Sequence, residues 1–265
     1  MALYELLVKM IEGYKKDLQI TSHRGHTIYE KLLDRESTIV DFGAHLGDFS
    51  NELSRRNKCK CYAVEALPAL YEKIPESSLV KKFNYAVTNS NNPVQFYISN
   101  QAESSSIKNN VASFEDGIQG VVTVEGITLE SFLENNNIEM VDLLKLDIEG
   151  AEVEVFKSTS DDTLRQIKQI TIEFHDFLDG MSLEEVRAIE NRLVNLGFFC
   201  IPFSYLFGEI SNLDLLFINK KLCKISQQNW LKLYIINLLL RAEKAKYLIL
   251  ERIRKGKLEQ INGNN

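Results

Sequence analysis

Thr38-Ile39-Val40-Asp41-Phe42-Gly43-Ala44-His45-Leu46-Gly47 is the stretch on which the fold turns. Thr38 to Phe42 is a short apolar run, broken only by Asp41, that stops at a glycine. This is the pattern of a buried strand. Gly47 to Arg56 reads as a helix, so the segment between is a tight strand-to-helix turn. Gly43 permits that turn and, having no Cβ, lets a ligand come close to the backbone. Lys60–Val64 is a second strand that ends at Glu65, 18 residues beyond Gly47. An acidic residue about 20 positions past such a glycine loop is where ribose hydroxyls are held. A carboxylate there accepts two hydrogen bonds from a vicinal diol.

The same alternation continues outward. Pro68 suits the first turn of a helix, and Phe83–Val87 is expected as a third strand. Val94–Ile98 and Val121–Val124 read as extra strands flanking a long polar loop. Thr128–Leu133 reads as a helix with Thr128 near its N-cap, Val141–Leu146 as a strand, and Ala151–Lys157 as a helix. Gln169–Phe174 is a further strand, and Ser182–Leu196 a helix capped by Ser182 and stopped by Gly197. Phe198–Phe203 and Leu213–Ile218 would close the sheet as a hairpin. Strands alternating with helices imply an α/β protein with a mostly parallel sheet covered on both faces. Ligands bind such sheets beyond the carboxyl ends of the strands, where the strand order reverses. Asp41, Glu65, Asp147 and Glu173 all fall at or near those ends.

The glycine loop is DxGxxxG and not the dinucleotide pattern GxGxxG. A carboxylate in the turn repels a pyrophosphate but attracts the amine and sulfonium of a methionine moiety. Charge therefore favours S-adenosylmethionine over NAD as the ligand.

Several segments then line up with a known family. They are Ile39 to Gly47, Tyr62-Ala63-Val64-Glu65-Ala66, Val124-Glu125-Gly126-Ile127-Thr128-Leu129-Glu130-Ser131-Phe132, Val141 to Glu152 with its KxDxEGAE wording, and Ile172-Glu173-Phe174-His175. In order and wording they resemble the FkbM family of methyltransferases over roughly residues 38–178. One departure is Ala66-Leu67-Pro68, where the family usually has a proline directly after the acidic residue.

The resemblance implies a Rossmann-like class I methyltransferase fold with a mostly parallel seven-stranded sheet. It also implies S-adenosylmethionine as cofactor and O-methylation of a sugar, glycan or natural-product hydroxyl. Asp41, Gly43, Ala44, His45, Gly47, Glu65 and Ala66 are the expected donor-binding residues, with Ser105 of the Ser104-Ser105-Ser106 run beside them. Methyl transfer to an alcohol needs alignment and a base. His175 and Asp147 are the candidate bases, with Glu149 orienting the acceptor. Asp147, Glu149, Glu173 and His175 have the chemistry for a divalent cation, but their spacing does not demand one, so no metal is assigned. His23, Arg24 and His26 are secondary candidates for closing over the donor or binding substrate. The alternatives are a non-catalytic module of the same fold and an NAD-dependent sugar oxidoreductase.

The rest of the chain sets limits. A formal charge of −6 gives no global basic field, so nucleic acid is not an expected partner. Cys59, Cys61, Cys200 and Cys223 lack zinc spacing and read as reduced thiols, which fits a cytoplasmic protein. Residues 1–37 are expected as an N-terminal helical segment: an amphipathic helix over 1–17, a polar stretch Thr21–Thr27 and a short helix Ile28–Leu33. Residues 38–220 form the methyltransferase domain, and residues 221–265 a basic amphipathic helix. Residues 220–259 carry eleven Lys/Arg and three Glu. Packing on the core or on a second copy, as in a homodimer, is the first expectation for that helix. Peripheral contact with an anionic membrane is the second.

Overall fold

The computed structural model describes residues 2–100, 105–108, 117–174, 182–203 and 213–262. Helix α1 (Ala2–Leu18) buries Ile11 and Leu18 and leaves Leu6 and Met10 exposed, so its apolar stripe is a packing face. Strands β1 (Ile20–His23) and β2 (His26–Tyr29) follow as an antiparallel hairpin. Its two-residue turn, Arg24-Gly25, has positive φ at both positions, the geometry that matches strand twist. This corrects the reading of 21–33 as a polar stretch and a helix. The helical part of it is the single 3-10 turn Glu30–Leu32.

The expected strands and helices then appear as β3 (Thr38–Phe42), α2 (Asp48–Asn57), β4 (Lys60–Val64) and α3 (Pro68–Tyr71). The third sheet strand is β5 (Val80–Phe83), earlier than expected. Ala86–Val87 (β6) leaves the main sheet and pairs with Gly126–Ile127 (β9). Between them β7 (Val94–Ser99) and β8 (Ile118–Val124) form a separate antiparallel ribbon. The chain continues through α4 (Leu129–Asn135), β10 (Leu143–Leu146), α5 (Glu152–Ser158), α6 (Asp161–Arg165), β11 (Gln169–Phe174), α7 (Leu183–Leu196), β12 (Phe198–Pro202), β13 (Leu213–Asn219) and α8 (Gln227–Asn262).

The sheet order is β12-β13-β11-β10-β3-β4-β5. Strands β3, β4, β5, β10 and β11 are parallel neighbours, and β13 is antiparallel to both β11 and β12. This is the Rossmann-like class I arrangement that the resemblance implies. The chain winds outward from β3 through β4 and β5, then resumes on the other side at β10, so the reversal lies between β3 and β10.

Strand alternation divides the sheet into two faces. Val40, Phe42, Leu144, Leu146, Ile170 and Ile172 face a core shared with α4 through α7. Ile39 and Leu143 face the other side with α2. Farther along that second side, α1, the hairpin and α8 share a core that includes Ile11, Tyr29, Ile218, Leu233 and Ile236. The two chain ends thus form one layer over β12 and β13. All four cysteines are free and buried.

Candidate active site

The second face carries polar residues in register. Asp41 of β3 is paired with Lys145 of β10, and Lys145 with Thr171 of β11. Two residues farther along β11, Glu173 stands opposite Asp214 of β13. The hairpin roofs this row: Gln169 accepts from the Tyr29 N–H, and Thr27 donates to Asp214 at 2.6 Å. The hairpin is held in turn from α2, where Arg56 grips Glu30 through two bonds of 2.8 and 3.0 Å and Glu52 lies 3.1 Å from His23. These clamps set Arg24 and His26 at the rim of a cavity of about 370 Å³ beyond the carboxyl ends of β3, β4 and β10.

The loop after β3 is shaped by contacts inside the protein. A Cβ on Gly43, whose φ is +80°, would lie 1.6 Å from the Asp147 carbonyl oxygen. The glycine therefore admits the backbone of β10 as well as any ligand. Gly43 and Ala44 both donate to the Val64 carbonyl at 3.0 Å, which ties the loop to β4. His45 donates its N–H to Glu65 at 2.8 Å, and Leu67 donates to the other Glu65 oxygen at 2.8 Å. The Glu65 carboxylate is thus fixed, and each oxygen keeps a lone-pair site for a further donor. Burial pushes its carboxyl up to about 7 against the pull of those two amides. Ala66 packs with Phe96 and Ile107, giving the cavity an apolar end next to this carboxylate.

Across the cavity stand Lys145, Asp147, Glu149 and Glu173. Lys145 is buried, donates to the Gly43 carbonyl at 2.6 Å, and lies 3.2 Å from Asp41 and 3.5 Å from Asp147. Burial opposes its charge, but the two carboxylates win and hold its ammonium above the usual range. His26 Nε2 is 3.2 Å from Asp147, and its ring edge meets Phe49. The turn after β10 is set by Glu152, whose Oε1 accepts from Ile148 at 3.1 Å and Gly150 at 3.2 Å. Ser106 donates to the Glu149 carbonyl, pinning the far loop to the same turn.

The expected donor and catalytic residues divide accordingly. Gly43, Ala44, His45, Glu65, Ala66, Ser105, Asp147 and Glu149 line the cavity. Asp41 does not: it is fully buried beneath the loop, bonded to Ser50 at 2.7 Å and neutralised by Lys145. Its carboxylate organises the loop from below and does not present bare charge in the turn. Gly47 begins α2 beside Ile74, also outside the lining. Ser105 accepts from the Ser99 N–H at 3.1 Å. His175 and Ser104 lie outside the described residues.

Two residues gain weight from the structure. Lys145 interrupts an apolar strand, and a charge in a buried strand is the signal that points to it. His26 stands out in the sequence only as part of the basic cluster with His23 and Arg24; its pairing with Asp147 spans 121 positions of chain, and no local pattern shows it.

Residues 41–200 match the family model described as methyltransferase FkbM domain. A hexuronic acid methyltransferase, AglP of Haloferax volcanii, is 22% identical over 178 residues, covering 64% of this chain and 70% of that protein. The AMB antimetabolite synthetase AmbE of Pseudomonas aeruginosa is 33% identical over 70 residues, 26% of this chain and 3% of that protein. Among solved structures, the methyltransferase FkbM from Methylobacillus flagellatus is similar at 10% identity and a TM-score of 0.44. It covers 70% of this chain and 44% of its own. The chain thus spans less than half of that protein, and a small fraction of AmbE.

Proposed function

The chain belongs to the FkbM methyltransferase family, and on that premise we propose that it is an S-adenosylmethionine-dependent O-methyltransferase acting on a hydroxyl of a sugar, glycan or related natural product. The observation that carries this reading is a single cavity with the fixed Glu65 carboxylate at one end and Asp147 with His26 across from it. Glu65 takes the ribose hydroxyls, and the pocket of Ala66, Phe96 and Ile107 takes the adenine. The acidic side near Asp147 favours the donor's cationic sulfonium. The similarity to AglP, a hexuronic acid methyltransferase, supports a sugar as acceptor.

In the transfer, the acceptor oxygen forms a bond to the methyl carbon as the carbon–sulfur bond breaks. The bonding pair leaves with sulfur, giving S-adenosylhomocysteine, and the hydroxyl proton passes to a base. Asp147 or His175 takes that proton, with Glu149 orienting the acceptor; His26 and Lys145 stand 3.2 and 3.5 Å from Asp147. A general base is worth roughly 10²–10⁴-fold. The partners within this reading are a small-molecule or glycan acceptor, an anionic membrane surface against α8, and a second copy of the chain. Flotation with anionic liposomes and light scattering test the last two.

Calorimetric titration with S-adenosylhomocysteine, followed by transfer of labelled methyl from S-adenosylmethionine to sugar and glycan extracts, tests the function. Micromolar binding, with Asp147→Asn keeping that affinity and losing turnover, is the expected result. Folded protein that binds neither ligand overturns it.

A further inference from the structure

We infer that His26, Asp147 and Glu173 form a divalent-cation site that holds the acceptor's oxygens beside the methyl donor; the inference rests on the methyltransferase reading above. The three side chains come from three separate elements: hairpin strand β2, the end of β10, and β11. Each offers a ligand atom, and these atoms all lie within 4.8 Å of one another. Octahedral ligands about 2.1 Å from a small cation stand about 3 Å apart when adjacent and about 4 Å when opposite. The 3.2 Å between His26 Nε2 and Asp147 is the adjacent spacing. All three residues line the cavity, so coordination positions not taken by protein open toward a substrate.

A further observation is His26 itself. It is 1% exposed, yet its ring lines the cavity and sets Nε2 against Asp147, so a buried imidazole faces the two carboxylates. One imidazole nitrogen with two carboxylates suits Mn²⁺ or Fe²⁺ better than the all-oxygen preference of Ca²⁺. Neighbouring hydroxyls of a sugar fit the open positions as a chelating pair.

The test uses Mn²⁺ and the full chain, with S-adenosylhomocysteine affinity measured alongside. One equivalent of Mn²⁺ should bind, and its electron spin echo should carry ¹⁴N modulation from an imidazole. That modulation should vanish in His26→Gln and survive in His175→Gln, and Glu173→Gln should weaken Mn²⁺ at least tenfold. No Mn²⁺ binding with S-adenosylhomocysteine bound normally overturns the cation site and leaves the methyltransferase reading standing. Loss of S-adenosylhomocysteine binding is instead the failure of that reading. Bound Mn²⁺ without ¹⁴N modulation, or modulation that follows His175, also overturns the site. Should a variant fail to fold, absence of ¹⁴N modulation in the wild-type protein decides against it.

Discussion

Glu65 shows how one side chain is both a cost and a device. Its carboxyl is raised from 4.5 to about 7 by burial, so the folded state favours the neutral acid. The sign follows: the stability this group contributes is complete below 4.5 and is lost as pH rises through about 7. At about 1.4 kcal/mol per unit, the loss is on the order of 3 kcal/mol. Ribose hydroxyls need the ionised acceptor, so donor binding should expel a proton. Calorimetry in two buffers of different ionisation enthalpy should therefore show proton release near neutrality, with affinity rising as pH passes about 7. Glu65→Gln should flatten that dependence and bind more weakly, by roughly 1.5–3 kcal/mol for a charged hydrogen-bond acceptor. At Gly43 the issue is space. An alanine methyl 1.6 Å from the Asp147 carbonyl must push β3 and β10 apart. Gly43→Ala should lower stability by more than about 3 kcal/mol in denaturant unfolding and weaken donor binding with it. Both positions are legible in the sequence, but the local pattern at Gly43 points to a tight turn and a close ligand and not to the Asp147 carbonyl that it touches.

The turn from β10 into α5 is the element on which the acceptor side depends. Left-handed φ at Glu149 and Gly150 bends the chain back, and Glu152 accepts the N–H groups of Ile148 and Gly150 inside the bend. Removing that acceptor leaves one buried and one half-buried donor unsatisfied, at roughly 1–3 kcal/mol for the buried one. Glu152→Ala should thus destabilise the protein by about 2 kcal/mol or more and reduce turnover more than donor affinity, read as a kcat loss at saturating donor. Helix α7 offers a simpler check. Ser182 and Glu185 form a complete capping box, so Ser182→Ala should cost about 1 kcal/mol in thermal unfolding without touching catalysis. The cap was visible as Ser182 ahead of an amphipathic run. The hairpin was not, because His23 to His26 is polar in composition, while the burial of His23 and His26 comes from packing against α2 and the sheet.

At the scale of the whole molecule, α8 closes the second face of the sheet. Leu233, Ile236 and Leu240 are fully buried against α1 and β12, while Leu231 and Leu238 remain exposed. Among the described residues no helix is long and apolar enough to cross a membrane. Ile236→Ala should cost roughly 2–5 kcal/mol, read as an earlier denaturant midpoint. The sequence by itself determined the alternation of strands and helices, the glycine loop, the acidic residue after β4 and the family. Those are local patterns, written in hydrophobic period and turn chemistry over a few residues. Only the tertiary structure decided that Asp41 serves Lys145 beneath the loop and that the N-terminal hairpin belongs to the site. Only it brought His26 to Asp147 and Glu173. The physical reason is distance along the chain. Strand register and the packing of the two chain ends bring these groups together, and no periodicity within one segment encodes a partner 121 residues away.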